Sequence, residues 1–274
     1  MCEYCSRHGA GKKWFLNARN FVKNYEDDGK REEFLRDFVA NFVESFKHFA
    51  STGQIKKMLE NEDPNFVMKK AMTWYFRNKH SGQVITQEEA KMVLDLAGQI
   101  SLVPCVCRLA NSGQKKSLCM LFMNVPDDVW GAQDFINIRE LVPLDMAEAK
   151  QQIDDFASDG LVQTVWTFNS PHIGAICNCD YPYCTAVRYR KNSPVKQSLM
   201  KGEQYATVNQ SKCRNCKKCI VACQFGALSY SSSLNQMVIN ERQCFGCGIC
   251  REKCKYDAIE LEPRSNNPIT RNLW

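Results

Sequence analysis

Eight of the sixteen cysteines in this chain of 274 residues fall into two runs with one spacing. Cys213, Cys216, Cys219 and Cys223 form the first, and Cys244, Cys247, Cys250 and Cys254 the second, each reading C-x2-C-x2-C-x3-C. Thiolates are soft anionic ligands, so four at such short intervals point to a soft metal centre. Three can come from one tight loop, with the fourth on the short helix that follows. The same offset of 31 relates both ends of the runs, from Cys213 to Cys244 and from Cys223 to Cys254. It also pairs Val208 with Ile239, Asn209 with Asn240, Ala227 with Ala258 and Leu228 with Ile259. A duplicated strand–loop–helix–strand unit about a pseudo-twofold axis is predicted.

On these motifs the stretch 209–255, about a fifth of the chain, resembles the bacterial-type ferredoxin domain that holds two [4Fe–4S] clusters. The resemblance implies crossed ligation. One cluster would take Cys213, Cys216, Cys219 and Cys254, the other Cys244, Cys247, Cys250 and Cys223. The family often has proline after the fourth cysteine, where Gln224 and Lys255 stand here; that residue shapes the turn and is not a ligand. Two structural zinc sites are the alternative, but zinc usually draws two ligands from each of two separated knuckles. Gly246 and Gly248 flank Cys247, so the backbone there can approach a cubane and donate N–H bonds to its sulfurs. The first loop instead carries Arg214, Lys217 and Lys218, whose charge also favours the reduced cluster.

Six further cysteines lie in the middle third. Cys105 with Cys107, and Cys177 with Cys179, form C-x-C pairs, each followed by one more, Cys119 and Cys184. Alternate residues of an extended strand share a face, so each pair can present both thiols to one side. That suits an additional iron–sulfur cluster or a zinc ion. Cys119 reads rather as a small core hydrophobe within its strand than as a ligand. The pairing of Pro104–Arg108 with Ile176–Cys179 resembles cysteine-rich iron–sulfur proteins of anaerobic bacteria that end in a ferredoxin domain. This implies an anaerobe and assigns no reaction. Cys2 and Cys5 do not make a c-type haem motif, since Ser6 and Arg7 precede His8. They are either a clip onto a metal held elsewhere or a frayed, reducible pair.

The elements that must position these thiols are legible in part. Phe34, Leu35, Phe38, Val39, Phe42, Val43, Phe46 and Phe49 recur as one helical face, which reads as core rather than a cofactor lining. Asp63-Pro64 opens a helix through Met68, Met72 and Tyr75. Thr86 with Glu89 is a capping box for a helix ending near Gly98, and Asp145 with Glu148 caps another that stops at Gly160. His48 and His80 read as structural or solvated. Strands are expected at Leu118–Met123 and Leu161–Phe168, so helix, strand and C-x-C occur twice, in the order of an α/β unit and as a degenerate duplication. The fold class expected is α+β. It comprises a helical region 1–99, an α/β cysteine-rich domain 100–200 with a C-x-C metal site, a dicluster ferredoxin-like module 201–262 and a tail 263–274.

A hydrophobic content of 44% with 24% charged residues predicts a packed core. No window approaches a membrane span, and Met1-Cys2-Glu3 begins no signal peptide, so a cytoplasmic protein with metal-bound rather than disulfide-bonded cysteines is expected. The formal charge is +6. Two oxidised cubanes at about −2 each bring it near +2, so nucleic acid is not an expected partner. Arg188, Arg190, Lys191, Lys196 and Lys201 form a basic connector, either a solvated linker or a docking surface for an acidic redox partner. The leading expectation is an electron-transfer protein passing low-potential electrons through two [4Fe–4S] clusters to a further metal centre or a partner enzyme. The alternative is an oxidoreductase whose C-x-C site, or a cofactor bound there, carries out a reduction; with no G-x-G-x-x-G, its site would be of an unrecognised kind. A DNA-binding redox or metal sensor would need a clustered basic helix, which the sequence lacks.

Overall fold

The computed structural model describes residues 13–16, 70–71, 82–122, 141–167, 173–192 and 199–273. Cys2, Cys5, His48, His80, Lys196 and the phenylalanine stripe lie outside the described residues, as does the Asp63-Pro64 helix apart from Lys70 and Ala71, which are helical.

The middle of the chain runs β1 (Gly82–Val84), α1 (Gln87–Leu96), β2 (Ile100–Pro104), α2 (Val106–Ser112), β3 (Ser117–Leu121), β4 (Val142–Leu144), α3 (Met146–Ser158), β5 (Val162–Trp166), β6 (Ala175–Cys179) and α4 (Thr185–Asn192). Both capping boxes start helices. Thr86 Oγ1 accepts from the Glu89 N–H at 3.2 Å while the Glu89 carboxylate accepts from the Thr86 N–H at 2.9 Å. Asp145 and Glu148 exchange the same two bonds at 2.8 and 2.9 Å. Gly160, at φ 88°, ends the second helix in the left-handed turn predicted for it.

The six strands form one sheet in the order β1-β5-β6-β3-β2-β4, with every pairing antiparallel. The α/β expectation for this region is thereby corrected. β2 and β3, like β5 and β6, lie close together in the chain and pair directly, without the long crossover that a parallel arrangement needs. β1 and α1 precede residue 100 yet belong to the same sheet and core as the strands and helices beyond it.

The sheet has an internal pseudo-twofold topology whose halves differ from the duplication anticipated. β1-α1-β2-β3 and β4-α3-β5-β6 are the two copies, and exchanging them reverses the sheet order onto itself. The pseudo-twofold axis passes between β3 and β6, where Cys119 directly faces Cys177. Cys119 is thus the counterpart of Cys177, and the two C-x-C pairs are not equivalent.

Alternation along the strands sorts the side chains. Leu118 and Met120 of β3, Val165 of β5 and Ile176 of β6 pack on Val93, Leu94, Ala149 and Ile153 of α1 and α3. Met120, Ile153 and Ile176 are fully buried there, each stabilising the fold by roughly 1.5–3 kcal/mol. The opposite face presents Val162, Trp166, Cys177 and Cys179 to Val187 of α4 and to Phe225 and Phe245. The sheet therefore separates an ordinary apolar core from a face rich in thiols. A 3-10 turn at Trp14–Leu16 buries Trp14 and Phe15 against the α1 side, and Trp14 Nε1 donates to Gln83 Oε1 at 2.5 Å.

The rest of the chain forms β7 (Gln204–Val208), α5 (Lys218–Ala222), β8 (Leu228–Ser231), β9 (Gln236–Ile239), α6 (Ile249–Glu252) and β10 (Ile259–Pro263). β7 pairs with β10 and β8 with β9, so the 31-residue repeat maps one hairpin-like pair onto the other. The match is detailed. Cys213 N–H donates to the Asn209 carbonyl at 3.1 Å and Cys244 N–H to that of Asn240 at 3.0 Å; Asn209 and Asn240 donate in turn to Ala258 and Ala227.

Candidate metal centres

Each metal loop needs three left-handed residues, and the repeat supplies them at equivalent places. Asn215, Lys217 and Gly226 in one copy match Gly246, Gly248 and Asp257 in the other, all with positive φ. Glycine is thus not required for the turn as such. It is required at position 246 for a second reason, because a Cβ there would lie 2.0 Å from the Gln204 carbonyl oxygen.

Cys213, Cys216, Cys219 and Cys254 line one cavity, with Arg214, Lys217 and Lys218 on its rim. Burial, and then the neighbouring Cys216, Cys213 and Cys254 thiols, push Cys219 up to about 11. In the second centre, burial together with Cys244 and Cys223 pushes Cys247 up to about 12, and Cys250 is raised by burial and by Cys247, Cys244 and Cys223. The last cysteine of each run therefore stands with the other run's loop. Like-charge crowding of this kind is relieved when a metal takes the protons' place. Backbone N–H groups already point at sulfur: Ala227 to Cys223 at 3.3 Å, Ala258 to Cys254 at 3.4 Å, and Ala206 and Gly246 both to Cys244 at 3.4 Å. These residues fit a cubane with N–H···S support.

The two centres have opposite surroundings. Arg214, Cys216, Lys217 and Lys218 are exposed, whereas Cys244 and Cys250 are buried. Beside the second centre Phe225 and Phe245 stack at 3.9 Å. The Arg190 guanidinium and Lys201 ammonium lie over the Phe245 ring at 5.1 and 5.2 Å. Arg190 and Lys201 are buried, which corrects their expected role in a solvated linker or docking surface. Arg188, Arg190 and Lys191 lie on α4.

Sequence reasoning missed two residues here. Arg264, in the supposed tail, is fully buried and donates to the carbonyls of Gly202 at 2.8 Å, Gln204 at 2.8 Å and Cys244 at 3.0 Å, holding the second loop against β7. No periodicity marks it. Gln224, noted only as a departure from proline, donates to the Gly160 and Cys179 carbonyls at 2.7 and 3.4 Å, and its side-chain oxygen accepts from the Tyr181 N–H at 2.8 Å. Lys191 Nζ donates to its backbone carbonyl at 2.8 Å.

On the thiol-bearing face of the sheet all six middle cysteines meet. Cys119 faces Cys177 across the β3–β6 ladder, Cys177, Cys179 and Cys184 share one packed cluster, and Cys105 and Cys107 stand close enough to Cys119 and Cys184 to perturb their thiols. Cys177 and Cys179 share a face of β6, which closes a ring. Cys177 is pushed up to about 11 by burial and the surrounding thiols, its bond from Cys119 acting the other way. Only this second pair is extended. Cys105 instead caps α2, its sulfur accepting from the Arg108 N–H at 3.4 Å, and Cys107 sits in the first turn of that helix. Thr164 Oγ1 lies 3.4 Å from Cys179 Sγ and accepts from Trp166 Nε1 at 2.8 Å. Cys119 is a member of this ring and not merely a core residue.

Among the described residues no helix is long and apolar enough to cross a membrane. No curated protein matches the chain significantly. One family model does match, that of the 4Fe-4S dicluster domain, over residues 212–259. Residues 212–259 thus match a 4Fe-4S dicluster domain, which supports an iron–sulfur electron-transfer role in general terms.

Proposed function

We propose that the protein relays low-potential electrons from a redox partner, through two [4Fe–4S] clusters, to a further metal centre in the middle domain. The clusters would be held by Cys213, Cys216, Cys219 and Cys254, and by Cys244, Cys247, Cys250 and Cys223. When bound, they supply one-electron storage at low potential. The observation that carries this reading is the opposed setting of the two sites. The first opens to solvent between Arg214, Lys217 and Lys218, which fits an acidic partner; the second is sealed against the thiol face of the sheet. Crossed ligation keeps the two sites close, as a relay needs. An anaerobic, cytoplasmic setting agrees with so many unpaired thiols.

The test is anaerobic purification with iron and sulfide analysis and EPR after reduction. Two interacting reduced-cluster signals from the ferredoxin module are expected, and colourless protein without them ends the proposal. A reductase reading is favoured by one observation, the partial exposure of Cys105 and Cys107; it requires an organic cofactor or a turned-over substrate at that place.

A further inference from the structure

Six thiols gathered beside one sheet face are unusual for a purely structural core. They come from four separated stretches: Cys105 and Cys107 at the start of α2, Cys119 on β3, Cys177 and Cys179 on β6, and Cys184 just before α4. The pseudo-twofold axis of the sheet runs through the Cys119–Cys177 pair, so the cluster sits at the junction of the two copies. Sulfur there already accepts hydrogen bonds from the backbone. Cys105 receives the Arg108 N–H, as Cys223 and Cys254 receive those of Ala227 and Ala258 in the dicluster domain. Arg108 itself is 5% exposed, pairs with Asp180, and has an Nε with no hydrogen-bond partner among the described residues.

The ligand geometry discriminates between metals. A zinc ion gathers its ligands at one point, with Zn–S near 2.3 Å. Among the described residues no three histidine, cysteine or acidic side chains converge in that way, and this holds for the dicluster cysteines as well. A cluster spreads its thiolates round a larger body. The six-thiol group has no histidine or open carboxylate that would favour a harder metal.

We propose that Cys105, Cys107, Cys119, Cys177, Cys179 and Cys184 supply the thiolates for a third iron–sulfur cluster, which exchanges electrons with the second cluster of the dicluster domain. The first half stands on the ring alone; the second rests on the electron-transfer reading above. The packing supplies a route. Cys223, whose sulfur stands with the second loop, is followed by Gln224, whose side chain bonds the Cys179 carbonyl, and Cys177, Cys179, Cys184, Cys223 and Cys247 share one packed cluster with Phe225 and Phe245. In the transfer step the second cluster loses one electron and the ring cluster gains it, with no bond made or broken.

The test compares the anaerobically prepared full chain with two double variants, Cys119→Ser/Cys177→Ser in the sheet and Cys105→Ser/Cys107→Ser at the helix start, the latter leaving the strands untouched. Wild type should hold about twelve irons and each variant about eight, with the dicluster EPR signals retained and one fewer electron taken up on reductive titration. The inference is overturned by about eight irons in wild type alongside full dicluster signals, by zinc in place of iron, or by variants that keep the wild-type iron content. About four irons that vanish in both variants, with no dicluster signal, would uphold the ring cluster and end the relay instead.

Discussion

Gln224 bridges the two metal-bearing parts of the molecule by donating its side-chain amide to the carbonyl oxygen of Cys179. It stands where the ferredoxin family often has proline, directly after Cys223. Its three side-chain hydrogen bonds to Gly160, Cys179 and Tyr181 explain the departure. Proline would keep the turn and lose the tie.

Gln224→Leu and Gln224→Pro should therefore behave alike. Each leaves the Tyr181 N–H and Gly160 carbonyl without their partner, at a cost of about 1–3 kcal/mol. Anaerobic denaturation should show that loss while iron content stays at the wild-type level. A variant as stable as wild type would show that the bridge contributes nothing.

Crossed placement of the fourth cysteines makes a prediction about pairs of variants. Cys254→Ser should remove the same EPR signal as Cys216→Ser, and Cys223→Ser the same as Cys247→Ser. Should Cys254→Ser instead match Cys247→Ser, ligation would be uncrossed.

Gly246 and Gly226 separate backbone strain from collision. Both have positive φ, 71° and 68°. A Cβ at 226 meets nothing within 4 Å, whereas at 246 it meets the Gln204 carbonyl at 2.0 Å. Gly226→Ala should cost about 1–2 kcal/mol, the left-handed penalty alone. Gly246→Ala should cost upwards of about 4 kcal/mol and deplete the second centre, as read by iron analysis and thermal unfolding.

The exposed basic rim and the buried basic pair should separate in kinetics. Lys217→Glu/Lys218→Glu should slow electron exchange with an acidic redox protein by roughly tenfold at low salt and little at high salt. Arg190→Met should leave that rate unchanged and lower the potential of the second centre by an amount on the order of tens of millivolts. Stopped-flow mixing and redox titration distinguish the two.

Lys201 ties stability to pH. Burial first, and then Arg264 and Arg190, push its ammonium down from the ordinary 10.5 to about 8. The folded chain thus holds this proton less tightly than the unfolded chain, and unfolding takes one up between pH about 8 and 10.5. The site's contribution to stability is lowest below pH 8 and rises through that window. Lys201→Met should flatten the rise in denaturation curves recorded across it; an unchanged slope would show that Lys201 keeps its ordinary value.

The sequence by itself determined whatever is local. Both metal loops, the 31-residue repeat and the two capping boxes are encoded within a few residues of one another, so spacing alone reveals them. Only the tertiary structure decided the rest. The second repeat is blurred by insertions, its equivalent residues standing from 58 (Cys119 to Cys177) to 61 (Val103 to Thr164) apart, so no fixed period shows. The six-thiol ring needs strand register and a helix cap to bring four stretches together. Arg190, Lys201 and Arg264 look in sequence like any surface cations. A charge pattern records which side chains are present, whereas burial depends on what the rest of the chain packs over them.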